Sequence, residues 1–322
     1  MDLGFVVIGR NEGDRLVACL SSIAEADCPI VYVDSGSTDQ SVVNARRSGA
    51  MIVELDLSKG FTAARARNAG FDALVAANPD LGLVHFMDGD CTLAPDWLNE
   101  AVAFMAARSD VAVVCGRRQE QFPDASVYNW LCEREWNRPP GKISACGGDA
   151  LMRIGAFRQV GRFRDDLIAG EEPELCVRLR QSGWLIWRLD MVMTRHDASM
   201  SRFAQWWRRM IRGGHAYAEI SSLHSAAEHG IWFRETARAL FWGLFLPLAI
   251  IAGGLINVWL FAGLLLYPVQ IARIAGREKW RTSDSWRFAL FMVLAKFAEA
   301  YGIVRFYILR SLQTRSKIIE YK

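Results

Sequence analysis

The sequence predicts an α/β fold followed by a membrane-directed helical tail. Three observations carry that reading. Short β-rich runs alternate with helically spaced segments through the first half of the chain, the pattern of strands joined by crossover helices. Polar clusters rich in Asp, Ser and Gly follow the second and fourth runs, where ligands bind in parallel sheets. The apolar surplus of a chain that is 52% hydrophobic is concentrated in Leu240–Ala275, far from those clusters.

Each element follows in order. Phe5–Ile8 is a short strand, and Arg15–Ile23 a helix with Leu16, Cys19, Leu20 and Ile23 on one face. Pro29–Val33 is the second strand, ending in the turn Asp34-Ser35-Gly36-Ser37-Thr38-Asp39, rich in helix N-cap residues. Gln40–Ser48 is a helix closed by Gly49, Ala50–Leu55 a strand, Thr62–Ala77 a long helix and Leu83–Met87 a fourth strand. Pro95 introduces a helix over Asp96–Arg108, and Val111–Cys115 is a strand. Gln119–Gly141 mixes signals and receives no assignment. Gly161–Arg180 leads into a helix starting at Pro173 and ending at Gly183. Trp184–Leu189 is the last strand, and Phe203–Ile220 is a basic, aromatic helix. Strands separated by helices imply a parallel sheet with helices on both faces.

The bulk numbers exclude several classes. A net charge of +3 over 322 residues gives no footprint for nucleic-acid binding. Seven cysteines without CxxC pairs point to reduced thiols in the cytoplasm. The N-terminus lacks a basic n-region, and Phe5–Ile8 is too short for a signal-peptide core. The front of the protein is therefore expected to stay in the cytoplasm.

Four ordered segments carry the chemistry: VVIGRNEGDRL (Val6–Leu16), VDSGSTD (Val33–Asp39), FMDGD (Phe86–Asp90) and AGEEPELCVRL (Ala169–Leu179). Between the second and third lies FTAARARNAG (Phe61–Gly70). Asp88 and Asp90, one residue apart at a strand end, can hold a divalent cation, and Gly89 allows close approach. A cation held there can grip a diphosphate.

Taken in order over residues 5–215, these segments resemble the family 2 glycosyltransferases. These are inverting enzymes of the GT-A fold that use nucleotide-diphosphate sugars. The resemblance implies a Mg²⁺ or Mn²⁺ cofactor, with Asp90 as a ligand and Asp88 on the ribose or the metal. His196, after the last strand, is a third candidate ligand. The resemblance places Asn11, Glu12, Asp34, Ser35, Arg67, Asn68 and Asp88 around the nucleotide sugar. Ser35 departs from the usual second Asp and leaves the base unnamed. Inversion needs a general base for the acceptor hydroxyl. Glu172 aligns with the family's Asp and takes that role, with Glu171 as runner-up. Asp149, in Gly147-Gly148-Asp149, and Trp206, in a basic tryptophan-rich helix, are acceptor-side candidates.

The tail is the second unit. Leu240–Ala275 is about twice the roughly 20 residues needed to cross a bilayer. Gly253, Gly254 and Asn257 near its middle suggest a hairpin of helices over about 237–254 and 256–275. Arg234 and Arg238 precede it; Arg273, Arg277, Lys279, Arg281 and Arg287 follow or close it. Cations on both flanks place both ends in the cytoplasm. Ser285–Leu312 is apolar but carries Arg287, Lys296, Glu299, Arg305 and Arg310, which fits an interfacial amphipathic helix better than a third span.

The expectation is thus a GT-A catalytic domain over 1–225 and a membrane-associated helical region over 226–322. It would sit on the cytoplasmic side of the inner (cytoplasmic) membrane and use a lipid or lipid-linked acceptor. Two rivals stand beside it. One is a processive polysaccharide synthase, weakened because Gln205–Arg209 lacks the final Trp of its QxxRW motif. The other is a catalytically silent scaffold that binds a sugar nucleotide.

Overall fold

The computed structural model describes residues 2–224, 231–277 and 282–313. It divides into two compact units, Met1–Ser201 and Arg202–Lys322. The division falls ahead of the expected residue 225, because the helix beginning at Phe203 packs along the last helix of the tail.

The first unit is built on a curved mixed sheet with nine strands among the described residues. They are β1 (Leu3–Gly9), β2 (Ile30–Asp34), β3 (Met51–Glu54), β4 (Leu83–Asp88), β5 (Cys91–Leu93), β6 (Val111–Glu120), β7 (Gly141–Ile143), β8 (Ala150–Arg153) and β9 (Leu185–His196). The order is β3-β2-β1-β4-β8-β6-β9-β5, with β7 also on β9. The first four strands in that order are parallel, as expected. Beyond β4 the sheet is mixed: β8 enters antiparallel between β4 and β6, β6 and β9 pair in parallel, and β5 and β7 pair antiparallel with β9. β5, β7 and β8 are only three or four residues long, too short to show a period of two.

The helices are α1 (Asp14–Ala24), α2 (Ser41–Arg47), α3 (Ala63–Ala77), α4 (Trp97–Ala107), α5 (Val127–Trp136), α6 (Ile154–Gln159) and α7 (Glu171–Gln181). Helix α1 buries Leu16, Cys19, Leu20 and Ile23, the face its spacing predicts. Thr62 caps α3 by accepting a hydrogen bond from the Arg65 amide. Gly70 lets α3 lie against the sheet; a Cβ there would meet Val6 and Val33 at 2.5 and 2.7 Å. In the unassigned Gln119–Gly141 stretch, Ser126 caps α5 through two amides. Helix α7 starts two residues before Pro173, so Glu171 and Glu172 occupy its first turn rather than the loop. Strand β9 runs seven residues past Leu189, so His196 ends the strand instead of following it. Irregular pairing of β9 with β6 beyond Arg188 breaks the alternation that would have signalled it.

The register positions the site. Ile8 pairs with Asp88, and Gly9 with Asp34, so both aspartates leave the sheet at one edge. Past that edge the chain reverses into β5. Cys91 then pairs with His196, and His196 with Glu120.

The second unit is helical: α8 (Phe203–Leu223), α9 (Phe233–Leu240), α10 (Leu246–Ile256), α11 (Leu266–Arg277) and α12 (Ser283–Ser311). A π-helical turn, Phe241–Phe245, joins α9 to α10, and a 3₁₀ segment, Val258–Leu265, leads into α11. Two helical stretches are long and apolar enough to cross a membrane, Phe233–Ile256 and Val258–Arg277. They break at Asn257, whose side chain accepts from the Trp259 amide. Lys279 and Arg281 of the expected cationic flank lie outside the described residues.

Helix α12 covers the stretch expected as an interfacial amphipathic helix. It packs on α8, α9 and α11 and buries Ala289, Val293, Ala298 and Ile303. Glycines allow the closest approach: a Cβ on Gly302 would meet the His215 amide nitrogen at 2.9 Å, and one on Gly243 the Ala300 Cβ at 2.8 Å.

Candidate active site

Two arginines and four carboxylates converge at the C-terminal edge of β4. Arg67, on α3, reaches Asp88 Oδ1 at 2.8 Å through Nη2. Through Nη1 it reaches Glu171 at 2.8 Å and Glu172 at 2.9 Å. Arg118, on β6, sits 3.1 Å from Asp88 Oδ2 and 2.8 Å from Asp149 Oδ2. Asp149 is 1% exposed and fully engaged, accepting also from the Asp88 amide at 3.0 Å and from Thr194 Oγ1 at 2.6 Å. Gly148 makes this closeness possible; a Cβ there would lie 2.9 Å from Asp88 Oδ2 and against the Arg67 guanidinium.

The charges tune one another. Burial and the neighbouring Glu171 charge push the Glu172 carboxyl up to about 7, against the pull of Arg67. Burial would raise Asp88, but Arg67 and Arg118 hold it well below the usual carboxylate range. Burial works against the charge of both arginines, yet their carboxylate partners keep them firmly protonated.

A second group lies beyond the turn. His196 Nε2 is 3.2 Å from Asp90 Oδ2, and Cys91 completes a set of donors within 4.8 Å of one another. His196 Nδ1 is buried without a hydrogen-bond partner and stands 3.9 Å from Glu120 Oε2. The Trp136 ring meets His196 edge-on at 4.9 Å. A carboxylate oxygen and an imidazole nitrogen side by side suit a divalent cation, Mn²⁺ more readily than the oxygen-seeking Mg²⁺. The residues therefore fit the expected ion through Asp90 and His196. Asp88, also expected as a ligand, has one arginine on each oxygen, so direct coordination would have to displace one of them.

The expected nucleotide-side residues divide. Asp34 is 4% exposed and accepts from Tyr32 Oη at 3.1 Å and from the Gly36 and Ser37 amides at 2.9 and 2.8 Å. Ser35 is buried beside it, its amide donating to the Gly9 carbonyl. Asn11 ties its loop to the Asp34 turn, donating its amide to Ser37 Oγ and accepting from the Thr38 amide at 2.7 Å. The Glu12 amide donates to Ser41 Oγ, and its carboxylate pairs with Arg15. Asn68 departs from expectation. Its amide group donates to the Phe163 carbonyl and to Asp165, holding the loop ahead of α7 instead of facing a nucleotide.

On the acceptor side, Asp149 is spent on Arg118 and the Asp88 backbone, so a positioning role fits better than acceptor contact. Trp206 lies in the second unit, 1% exposed, packed on Phe203, Trp207 and Phe291. That burial fits a core aromatic. Sequence reasoning missed Arg118, Glu120 and Trp136. Each lies in or beside the segment without a clear period, and no local motif marks them.

Residues 5–166 match the family model described as Glycosyl transferase family 2. The chain is 23% identical over 189 residues to Glycosyltransferase AglE of Haloferax volcanii; the match spans 54% of this chain and 60% of that relative. The fold is similar to the mannosyltransferase PcManGT from Pyrobaculum calidifontis, solved with GDP-Man and Mn²⁺. That likeness has a TM-score of 0.62 at 20% identity over 94% of this chain and 87% of that one. It also resembles TarS of S. aureus, with a TM-score of 0.51 at 15% identity over 94% and 54% of the two chains. At these identities the structural likeness is one of fold.

Proposed function

The chain belongs to the family 2 glycosyltransferases, and on that premise we propose that it is an inverting, cation-dependent sugar transferase. The donor is a nucleotide-diphosphate sugar, and the acceptor a hydroxyl of a lipid or lipid-linked glycan. The observation that carries the reading is Arg67, one guanidinium joining Asp88 on the donor side to the Glu171–Glu172 pair.

Glu172 is the base. Its carboxylate takes the proton of the acceptor hydroxyl as that oxygen bonds the anomeric carbon and the bond to the diphosphate oxygen breaks. A carboxyl poised at about 7 is matched to this task at neutral pH. Glu171 is more deeply buried and holds Arg67 in place. Asp90 and His196 would hold the divalent cation, whose charge, when bound, offsets that developing on the departing diphosphate. Asp88, kept ionised by its two arginines, faces the nucleotide side of the same edge. Arg118 and Asp149 fix its position.

The acceptor class rests on the second unit. Leu255, Ile256, Val258 and Trp259 are among its most exposed residues, which suits a lipid environment and not water. The described connector at Asn257 carries no charge, while arginines stand on both flanks, supporting a cytoplasmic face for both ends. Seven free cysteines, all but Cys28 buried, agree with a reducing compartment.

The test is release of nucleotide diphosphate from a panel of sugar nucleotides by detergent-purified protein, with Mn²⁺ or EDTA. Release from one donor, abolished by EDTA and in Asp90→Ala and Glu172→Gln, is expected. No release from any donor, with lipid extract supplied as acceptor and no cation-dependent nucleotide binding, would sink the proposal in favour of a silent scaffold.

A further inference from the structure

The chain's small net charge conceals two opposed halves. Residues 1–201 carry 21 Lys and Arg against 28 Asp and Glu, whereas residues 202–322 carry 17 against 7. The first unit is acidic and the second strongly basic. Within the second unit the positive charge is not spread along the apolar stretch. No charged residue stands between Arg238 and Arg273. Arg234 and Arg238, at one end of that stretch, and Arg273 and Arg277, at the other, are all exposed. So is Arg208 on α8. Among the described residues these five have no carboxylate partner, in contrast to Lys296 and Arg287, which pair with Glu299 and Asp284.

An unpaired guanidinium is a donor fork shaped for phosphate. Arginines bracketing an exposed apolar run place such forks at the depth where lipid phosphates begin. We infer that the second unit docks on anionic phospholipid headgroups, with Arg234, Arg238, Arg273 and Arg277 as the phosphate contacts and Arg208 as a further one. The inference rests on the membrane reading above and adds a headgroup to it. Charge complementarity selects the occupant. The acidic first unit is repelled by the same surface, so attraction to it belongs to residues 202–322 alone.

The experiment uses the full chain reconstituted in vesicles at equal mole fractions of acyl-brominated phosphatidylglycerol or acyl-brominated phosphatidylcholine. Quenching of tryptophan fluorescence reports which lipid gathers around the protein, and Trp242 and Trp259 lie within the apolar stretch. The expected result is stronger quenching by the anionic lipid, lost in 0.5 M salt, roughly as surface screening predicts. In Arg234→Gln/Arg238→Gln, with helicity unchanged by circular dichroism, the anionic preference should fall about fivefold per arginine removed. Equal quenching by both lipids overturns the anionic inference and leaves membrane insertion standing. A protein that floats with neither vesicle and is quenched by neither overturns the membrane reading itself.

Discussion

Glu172→Gln, measured across pH, tests the site most directly. Burial and Glu171 lift the Glu172 carboxyl to about 7. A base acts only when deprotonated, so kcat/KM should rise about tenfold per pH unit below that value and level off above it. The size of Glu171's influence follows from geometry. Both carboxylates touch Arg67 Nη1, at 2.8 and 2.9 Å. Their oxygens therefore lie within roughly 6 Å of each other, worth about 3 kcal/mol at an effective dielectric near 20. Partial exposure of Glu172 screens this, leaving a displacement of about one to two pH units. Glu171→Gln removes the like charge and should move the limb to lower pH by that amount. Glu172→Gln should abolish the limb and lower the plateau by about 10²–10⁴-fold. The assay is nucleotide-diphosphate release from pH 5.5 to 8.5, roughly spanning the limb. If Glu172→Gln keeps both the limb and most of its activity while Glu171→Gln loses them, the assignment of the two carboxylates is reversed. If both keep them, the base is elsewhere.

Three further outcomes follow from single contacts. His85 is fully buried, accepts from Trp97 Nε1 at 3.0 Å, and is held by burial at about 4 against an ordinary value of 6.5. Its folded-state value is depressed, so its contribution is complete above pH 6.5 and lost as pH falls toward 4. That is about 3 kcal/mol, read as a fall in Tm that His85→Gln should flatten. Gly148→Ala places a methyl 2.9 Å from Asp88 Oδ2 and against the buried Arg67 guanidinium; donor turnover should fall at least about tenfold, and the melting temperature should drop with it by an overpacking cost of about 1–3 kcal/mol. Asp149→Asn leaves Arg118 with Asp88 alone and should cost about 3 kcal/mol in urea unfolding, near the lower bound for breaking a buried pair.

What was legible in the sequence follows a physical divide. Strands β1, β2 and β4 announce themselves because each is a run of buried β-branched and aromatic residues ending in Gly or Asp. Helix α1 shows its buried face because a helix repeats that face every turn. The short strands β5, β7 and β8 have no room to repeat anything, and they exist only because β9, β6 and β4 offer them edges. The site divides in the same way. Asp88, Asp90, Glu171 and Glu172 were legible as candidates because each pair is contiguous or nearly so in the chain and resembles a segment of the family's pattern. Arg118 was not, since its partners lie 30 and 31 residues away and nothing near it in sequence marks them. Asn68 shows the converse: its motif located the right turn of α3, but the side chain points to the Phe163–Asp165 loop.

Arg67 shows why contacts must be weighed as charges as well as distances. The sequence placed it toward the nucleotide. In the fold it is 2% exposed, and its Nε has no partner, so its charge is directed wholly through its two terminal nitrogens. Asp88, Asp149, Glu171 and Glu172 set four potential negative charges against the two positive charges of Arg67 and Arg118. Burial and that excess of negative charge work against the ionised form of Glu172, whose carboxyl rises to about 7. Asp88 has an arginine on each oxygen, and Asp149 has Arg118, Thr194 and a backbone amide. Glu172 shares one nitrogen of one arginine with Glu171. The proton-accepting character assigned to Glu172 thus arises from its burial and from the like charge of Glu171 on the same arginine nitrogen, more than from its place in a motif.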